Sequence, residues 1–369
     1  MERFSLRDGA MPDLITTFSN MQRSRPASEK RRSARAAVAA ADVPTDVVSA
    51  LRQMQLLASG DSPRVTMLPS SFATRASRID LGWGTIFLKR ELAPEAAAES
   101  FLAERVQAEA GWFKVACGVV PGVAPTVLGA LPAAGVVALE YLDPEEFPSW
   151  QGRLAAGKIE PWVAAELGHL VGRLHAASAN SLSVTERFAA RAPFRALVLA
   201  PLLARATAVA PDCAPRIASL GERLGATRLA LVHGALTPDN VLVGPRGPVL
   251  IDADCAHSGD PVFDVATGLA ALALRMVTHC QSRVALVNAF DAFHRSYFAH
   301  VTWEMPEEAE ARTTTLLPVF LVAGLDSLRG LGAAQDARRA LDAAAALLTA
   351  TPARLEELLR LWLDALSPA

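Results

Sequence analysis

The chain has 369 residues, with 36 Lys+Arg against 38 Asp+Glu and a formal net charge of -2. At roughly 150 residues per domain, this length suits two domains or one two-lobed domain, with a core that needs no disulfide or metal staple. An apolar share of 51% with 20% charged residues excludes a disordered or collagen-like chain, and the near-balanced charge argues against nucleic acid as the main partner.

Residues 1–46 read as a basic, flexible extension, with Arg23, Arg25, Lys30, Arg31, Arg32 and Arg35 and no apolar period. Residues 47–143 carry a mixed pattern. A helix is expected over 44–57, strands around 64–68, 72–81 and 85–89, and a long helix over 94–116. In that helix Phe101, Leu102, Val106, Ala110 and Phe113 recur at helical spacing. Short strands follow at 126–129 and 136–141, turning through 132–135. Residues 115–139 hold no charge and are long enough to span a bilayer, but Pro121, Pro125 and Pro132 with four glycines divide them into strands and turns.

After Asp143-Pro144 the character becomes mainly helical, over 144–369. Pro161 opens an amphipathic helix to 177, with Leu167, Leu170, Val171 and Leu174 on one stripe. Further helices are expected over 192–208, 212–224, 262–280, 283–300, 307–329, 336–349 and 352–366. Cys117, Cys213, Cys255 and Cys280 are scattered without a C-x-x-C pair, which argues against a zinc site and fits a reducing cytoplasm.

One non-helical island, residues 229–261, interrupts the helices. An apolar strand leads into His233-Gly234, and a loop ends at Asn240. Val241-Leu242-Val243 forms a strand, Gly244-Pro245-Arg246-Gly247 a turn, and Val249-Leu250-Ile251 a second strand ending on Asp252. A tight hairpin therefore delivers Asn240 and Asp252 to one edge. An amide oxygen and a carboxylate are hard ligands of the kind Mg²⁺ accepts beside phosphate oxygens. Asp254 lies two residues on, and in an extended strand it would share a face with Asp252.

These residues resemble the catalytic and metal-binding segments of the aminoglycoside phosphotransferase family, the small-molecule branch of the protein-kinase-like fold that includes choline kinases. His233, Gly234, Asn240, Ile251, Asp252, Gly259, Asp260, Pro261 and Asp264 all match its pattern at the right spacing. The resemblance implies an α+β, two-lobed fold, with a small sheet-plus-helix N-lobe over 47–143 and a mainly helical C-lobe over 144–369. It implies a phosphotransferase using ATP (or GTP) and Mg²⁺ on a hydroxyl of a small molecule such as an aminoglycoside, sugar or amino alcohol. The partners would be a nucleotide and that acceptor, with no membrane or nucleic acid involved.

One position departs from the pattern. The family's catalytic Asp falls on Ala235, which cannot orient a hydroxyl or accept its proton. Three readings stand: an inactivating substitution, a nucleotide-binding pseudokinase acting as sensor or scaffold, or a relocated base such as Asp239 or Asp254. Asp239 itself reads as a surface loop residue.

The resemblance assigns further residues. Lys89, at the end of an apolar strand, is the expected phosphate-gripping lysine. Glu109 on the long helix is its expected partner, with Glu104 as the rival. Asn240, Asp252 and Asp254 are the candidate metal ligands. Ser70 and Ser71 are candidate phosphate-covering residues, although an ordinary hairpin turn accounts for them equally well. Glu140 and Leu142 flank the connector that meets the adenine. His233, Asp260 and Asp264 are expected to brace the catalytic loop, and His175, on the helix that precedes it, reads as a packed structural histidine. For the acceptor pocket the candidates are His257, His279, Trp303, Glu304 and Asp326. Glu307, Glu308 and Glu310 could add acidic groups but also read as a solvated helix start.

Overall fold

The computed structural model describes residues 45–69, 74–92, 99–328, 334–350 and 352–367. The first of its elements is helix α1 (Thr45–Gln53), followed by β1 (Arg64–Met67), β2 (Thr74–Leu81), β3 (Gly84–Glu91), helix α2 (Glu99–Val119), β4 (Val127–Leu131) and β5 (Val136–Glu140). The strands form one antiparallel sheet in the order β1-β2-β3-β5-β4. The expected extension reached 46, whereas α1 begins at Thr45 and its Val47 and Leu51 are buried.

The period of two along β3 and β5 sorts side chains onto two faces. Ile86 and Leu88 on β3, with Val136 and Ala138 on β5, pack against Val47, Ala50 and Leu51 of α1. The alternate positions, Val137 and Leu139, join Val106, Ala110 and Phe113 of α2 in the larger core. Lys89 pairs in register with Val137, so it too faces α2.

The C-terminal part is mainly helical, with three long helices at its centre: α4 (Pro161–Ser178), α8 (Val262–Thr278) and α9 (Arg283–Phe298). Around them lie α3 (Trp150–Ala155), α5 (Leu182–Arg187), a π-helical turn (Phe194–Leu199), α6 (Ala200–Val209), α7 (Ala214–Ala226), α10 (Pro306–Leu328), α11 (Ala334–Ala350) and α12 (Leu355–Leu366). Small residues let α4 and α9 approach closely. A Cβ on Gly168 would fall 2.5 Å from the Phe293 carbonyl oxygen.

Two small ribbons carry the island. Strand β6 (Ala230–Val232) pairs antiparallel with β9 (His257–Gly259), a three-residue strand that the sequence pattern did not signal. Strands β7 (Val241–Gly244) and β8 (Gly247–Leu250) form the expected hairpin, closing through the pair Gly244 and Gly247. Among the described residues no helix is long and apolar enough to cross a membrane.

Candidate functional site

The hairpin positions its two polar residues as the spacing predicted. Register pairs Val241 with Leu250, and the Ile251 amide donates to the Asn240 carbonyl at 3.0 Å. Asn240 therefore enters the hairpin where Asp252 leaves it. Asn240 Nδ2 donates to the carbonyl of Ala235 at 2.9 Å, which leaves Oδ1 as the group it can offer outward. The Thr237 amide donates to the same carbonyl at 2.8 Å.

The loop before it is braced from below. Asp264, in the first turn of α8, accepts from the His233 amide at 2.7 Å and the Gly234 amide at 2.9 Å. His175 of α4 reaches Asp264 at 3.3 Å and the Tyr297 hydroxyl at 3.0 Å. Burial alone would raise the Asp264 carboxyl; His175 and the loop amides hold it below the usual range. His233 Nε2 meets the Ile251 carbonyl at 3.0 Å, while burial lowers the imidazole's pKa. Gly234 has φ +81°, and a Cβ there would meet the Cys255 carbonyl oxygen at 2.5 Å, so only glycine fits. Asp260 works differently from Asp264. It reaches the Val262 amide at 3.3 Å but binds mainly Arg312 of α10, at 3.2 Å.

Lys89 is the centre of a buried ionic cluster. Its Nζ lies 3.1 Å from both Glu109 carboxylate oxygens, 2.9 Å from Glu91, 2.5 Å from Asp252 and 3.8 Å from Asp254. Glu109 is thus the helix partner, and the rival Glu104 is not among these contacts. Burial would lower the lysine's pKa, but four carboxylates hold it well above its ordinary value. Burial pushes Glu109 up to about 8, with Lys89 opposing and the other carboxylates adding to the rise. The Lys89 side chain is 6% exposed and that of Asp252 is 46%, so Asp252 is the member that faces solvent.

Two residues of this cluster escaped the sequence reading. Glu91 follows Lys89 by one strand period and shares its face. Arg105 precedes Glu109 by one helical turn. Arg105 Nη1 lies 2.6 Å from Glu91 and its Nε 3.0 Å from Asp254, with a second bond from Nη2 to Asp254. Both periodicities were visible, but neither charge was weighed as a partner of Lys89.

Three expectations need correction. Asp252 and Asp254 do not share a strand face, because Asp252 has φ 62° and the chain leaves the strand there. Such a backbone costs roughly 1–3 kcal/mol in a residue other than glycine. Asp254, expected beside the metal, is instead buried against two cations. Burial would raise its carboxyl, but Lys89 and Arg105 drive it down to about 2. Asp239 is half-buried rather than a surface residue; burial lifts it to about 6 against the pull of Arg275.

The connector and pocket candidates are dispersed. Glu140 is exposed and accepts from the Thr126 amide and hydroxyl at 3.1 and 2.8 Å. With Leu142 it borders a cavity of about 230 Å³ beside the β7–β8 turn. His257 is buried, its ring centroid 4.0 Å from that of Phe194. His279 reaches the Ala155 carbonyl at 3.4 Å. Glu304 accepts from Trp303 at 2.9 Å and from Arg312 at 2.6 Å, while Glu310 accepts from the Leu355 amide at 3.0 Å. These carboxylates are engaged within the protein. Glu307 and Glu308 stand in the first turn of α10. Ser70, Ser71 and the Asp326 side chain lie outside the described residues.

Comparison with known proteins agrees on the fold. An amicoumacin kinase, hAmiN, solved with AMP-PNP, Ca²⁺ and Ami, is 16% identical with a TM-score of 0.51, the match covering 85% of this chain and 98% of that one. A spectinomycin phosphotransferase, APH(9)-Ia, solved with ADP and spectinomycin, is 12% identical with a TM-score of 0.48 over 86% and 98% of the two chains. A choline/ethanolamine kinase family protein from Mesorhizobium loti is 15% identical with a TM-score of 0.45 over 87% and 98%. A search of curated proteins finds no match. The family model for phosphotransferase enzymes, APH, matches residues 65–302, from the first strand through the helices that follow the island. The chain therefore belongs to the APH phosphotransferase enzyme family of small-molecule kinases.

Proposed function

We propose that this chain binds ATP with Mg²⁺ in the cleft between residues 47–143 and 144–369, in a site built for phosphoryl transfer to a hydroxyl of a small molecule. The observation that carries this reading is the meeting of Lys89, its Glu109 partner and Asp252 in one cluster. Lys89 would grip the nucleotide phosphates and Glu109 would fix its ammonium. Glu140 and Leu142 would flank the adenine.

The residues present fit a divalent cation. Asn240 offers an amide oxygen and Asp252 a solvent-facing carboxylate, both hard donors. The cluster also gathers four carboxylates (Glu91, Glu109, Asp252 and Asp254) around two cations (Lys89 and Arg105), and a divalent ion at its solvent-facing edge would relieve the carboxylate repulsion that helps to raise Glu109. When bound, the ion would neutralise charge on the phosphates. Asn240 and Asp252 would hold it, while Asp254, tied to Arg105, would anchor the metal loop to α2.

Ala235 bears on the chemical step rather than on binding. Lacking a base typically costs about 10²–10⁴ in rate, while positioning and charge stabilisation remain. The alanine favours a second reading, a pseudokinase that binds nucleotide as a sensor or scaffold. The acceptor class is a hydroxylated small molecule. Glu304 and Glu310 are engaged within the protein, so of the acidic groups a polycationic aminoglycoside would want here only Glu307 and Glu308, exposed in the first turn of α10, stay open to solvent.

Two measurements test the proposal. Mg²⁺·ATP at one hundred times its Kd should stabilise the protein by about 2.7 kcal/mol, and Lys89→Met should abolish the rise in Tm. No rise in the unaltered chain would end the nucleotide reading. A screen of hydroxylated acceptors with Ala235→Asp then separates the two readings. Turnover confined to that variant marks the alanine as a lesion in a working kinase, and nucleotide binding without turnover in either protein favours the pseudokinase.

A further inference from the structure

A second charged feature lies at the far end of β6 from His233. The last turn of α7 presents the carbonyls of residues 224–227, and three arginines converge on it. Arg191 donates to Gly225 at 2.6 Å and Leu224 at 2.7 Å. Arg195 donates to Gly225 at 3.2 Å. Arg228 donates through Nη1 alone to Gly225, Ala226 and Thr227, at 3.2, 3.1 and 3.0 Å. The same three arginines, with Ala189, Ala192 and Ala196, line a groove of about 540 Å³.

Helix capping accounts for only part of this charge. A helix C-terminus carries roughly half a negative charge, and one cation satisfies it. Here three full positive charges meet that end. Among the described residues none of the three arginines forms an ion pair, and the groove lining contains no carboxylate. Arg191 is moreover 5% exposed, and its Nε has no hydrogen-bond partner. A buried charge without a counter-charge is costly, and carbonyl oxygens offset it only partly. The carbonyls also hold the guanidiniums in place, so little side-chain freedom remains to be lost when an anion arrives.

We propose that this groove is a binding site for a small phosphate-bearing anion, separate from the Lys89 cluster. Guanidinium forks match phosphate oxygens, and Arg228 keeps Nε and Nη2 free of protein partners while Arg195 keeps Nε and Nη1. The alanine methyl groups make the remaining wall small and without competing acceptors. The groove has room for one phosphorylated metabolite.

Calorimetric titration of the full chain with inorganic phosphate, pyrophosphate and ribose 5-phosphate tests the site. Lys89→Met is the background, because it removes the other phosphate cradle. The expected result is binding of at least one of the three probes by Lys89→Met, weakening with salt. Adding Arg195→Gln and Arg228→Gln, both exposed positions, should weaken that binding about tenfold or more, since each substitution removes a charge-assisted hydrogen-bond donor. Stronger binding of the monoester than of free phosphate would place the remainder of the ligand against the alanine wall. Absence of millimolar binding in Lys89→Met, or equal affinity after the arginine substitutions, would overturn the proposal.

Discussion

Asp239 and Asn240 are adjacent in sequence and have opposite surroundings. Asn240 turns inward to fix the Ala235 carbonyl, whereas Asp239 is held beside Arg275 with its pKa raised to about 6. A carboxyl raised by burial is most compatible with the fold when protonated. Its contribution is intact below the ordinary value of 3.8 and declines as pH climbs through about 6. Asp239→Asn should therefore leave stability unchanged near pH 4 and raise Tm above pH 6, read from melts across that range. A variant that lowers Tm above pH 6 while leaving it unchanged near pH 4 would mean that the attraction of Arg275 for the carboxylate outweighs desolvation. At this scale the sequence was most informative where spacing was rigid. Lys89 and Glu109 were found as a pair, and Asn240 and Asp252 as ends of one hairpin. Glu91 and Arg105 were missed because a charge on a strand or helix reads as solvent-facing unless its partner, 149 positions away in the case of Arg105 and Asp254, is already known.

Helix α2 is the element that organises the cluster. Arg105 and Glu109 are one turn apart, so a single face meets β3 and the segment after Asp252 together. The Arg105–Asp254 bond ties α2 to the segment after Asp252, beside the Lys89–Asp252 contact. Breaking one side of a buried ion pair costs about 3–5 kcal/mol, because the other charge is left uncompensated. Arg105→Gln and Asp254→Asn should each be strongly destabilising in denaturant titrations. The double variant should lose much less than the two losses added. Additive losses would mean that the pair is not an energetic unit. Asp254, held down to about 2, also makes the pair acid-sensitive. Its contribution is complete above 3.8 and disappears as pH falls through about 2, a slope that Asp254→Asn should remove. The long helices were legible from their period, whereas α3 and α5, six residues each, span less than two turns and give no readable stripe. Strand β9 is too short for alternation, and only its pairing with β6 defines it.

For the molecule as a whole, the succession of a small sheet and a mainly helical part was legible from the change of pattern along the chain, but the layering of its cores was not. The larger core runs without a break from α2 and the inner sheet positions Val137 and Leu139 into α4, α8 and α9. The smaller one, between α1 and the outer sheet face, is a separate cluster built from Val47, Leu51, Ile79, Ile86 and Leu88. A residue pattern shows which positions are apolar but not which apolar faces merge, since that depends on how α2 lies across the sheet. The separation has a consequence for unfolding. Cooperative units follow contiguous packing, so the outer layer should open at lower free energy than the rest. Leu51 is fully buried in that layer, and Leu51→Ala should cost about 2–5 kcal/mol there. In native-state hydrogen exchange, amides of α1, β1 and β2 should then exchange faster, while those of α4 and α8 keep their protection. If protection in α8 fell by the same factor as in α1, the two cores would unfold as one unit and the layered description would fail. If only α1 responded, the ionic cluster and α2 would be carried by the larger core, and the α2-facing side of the sheet would be the more stable one.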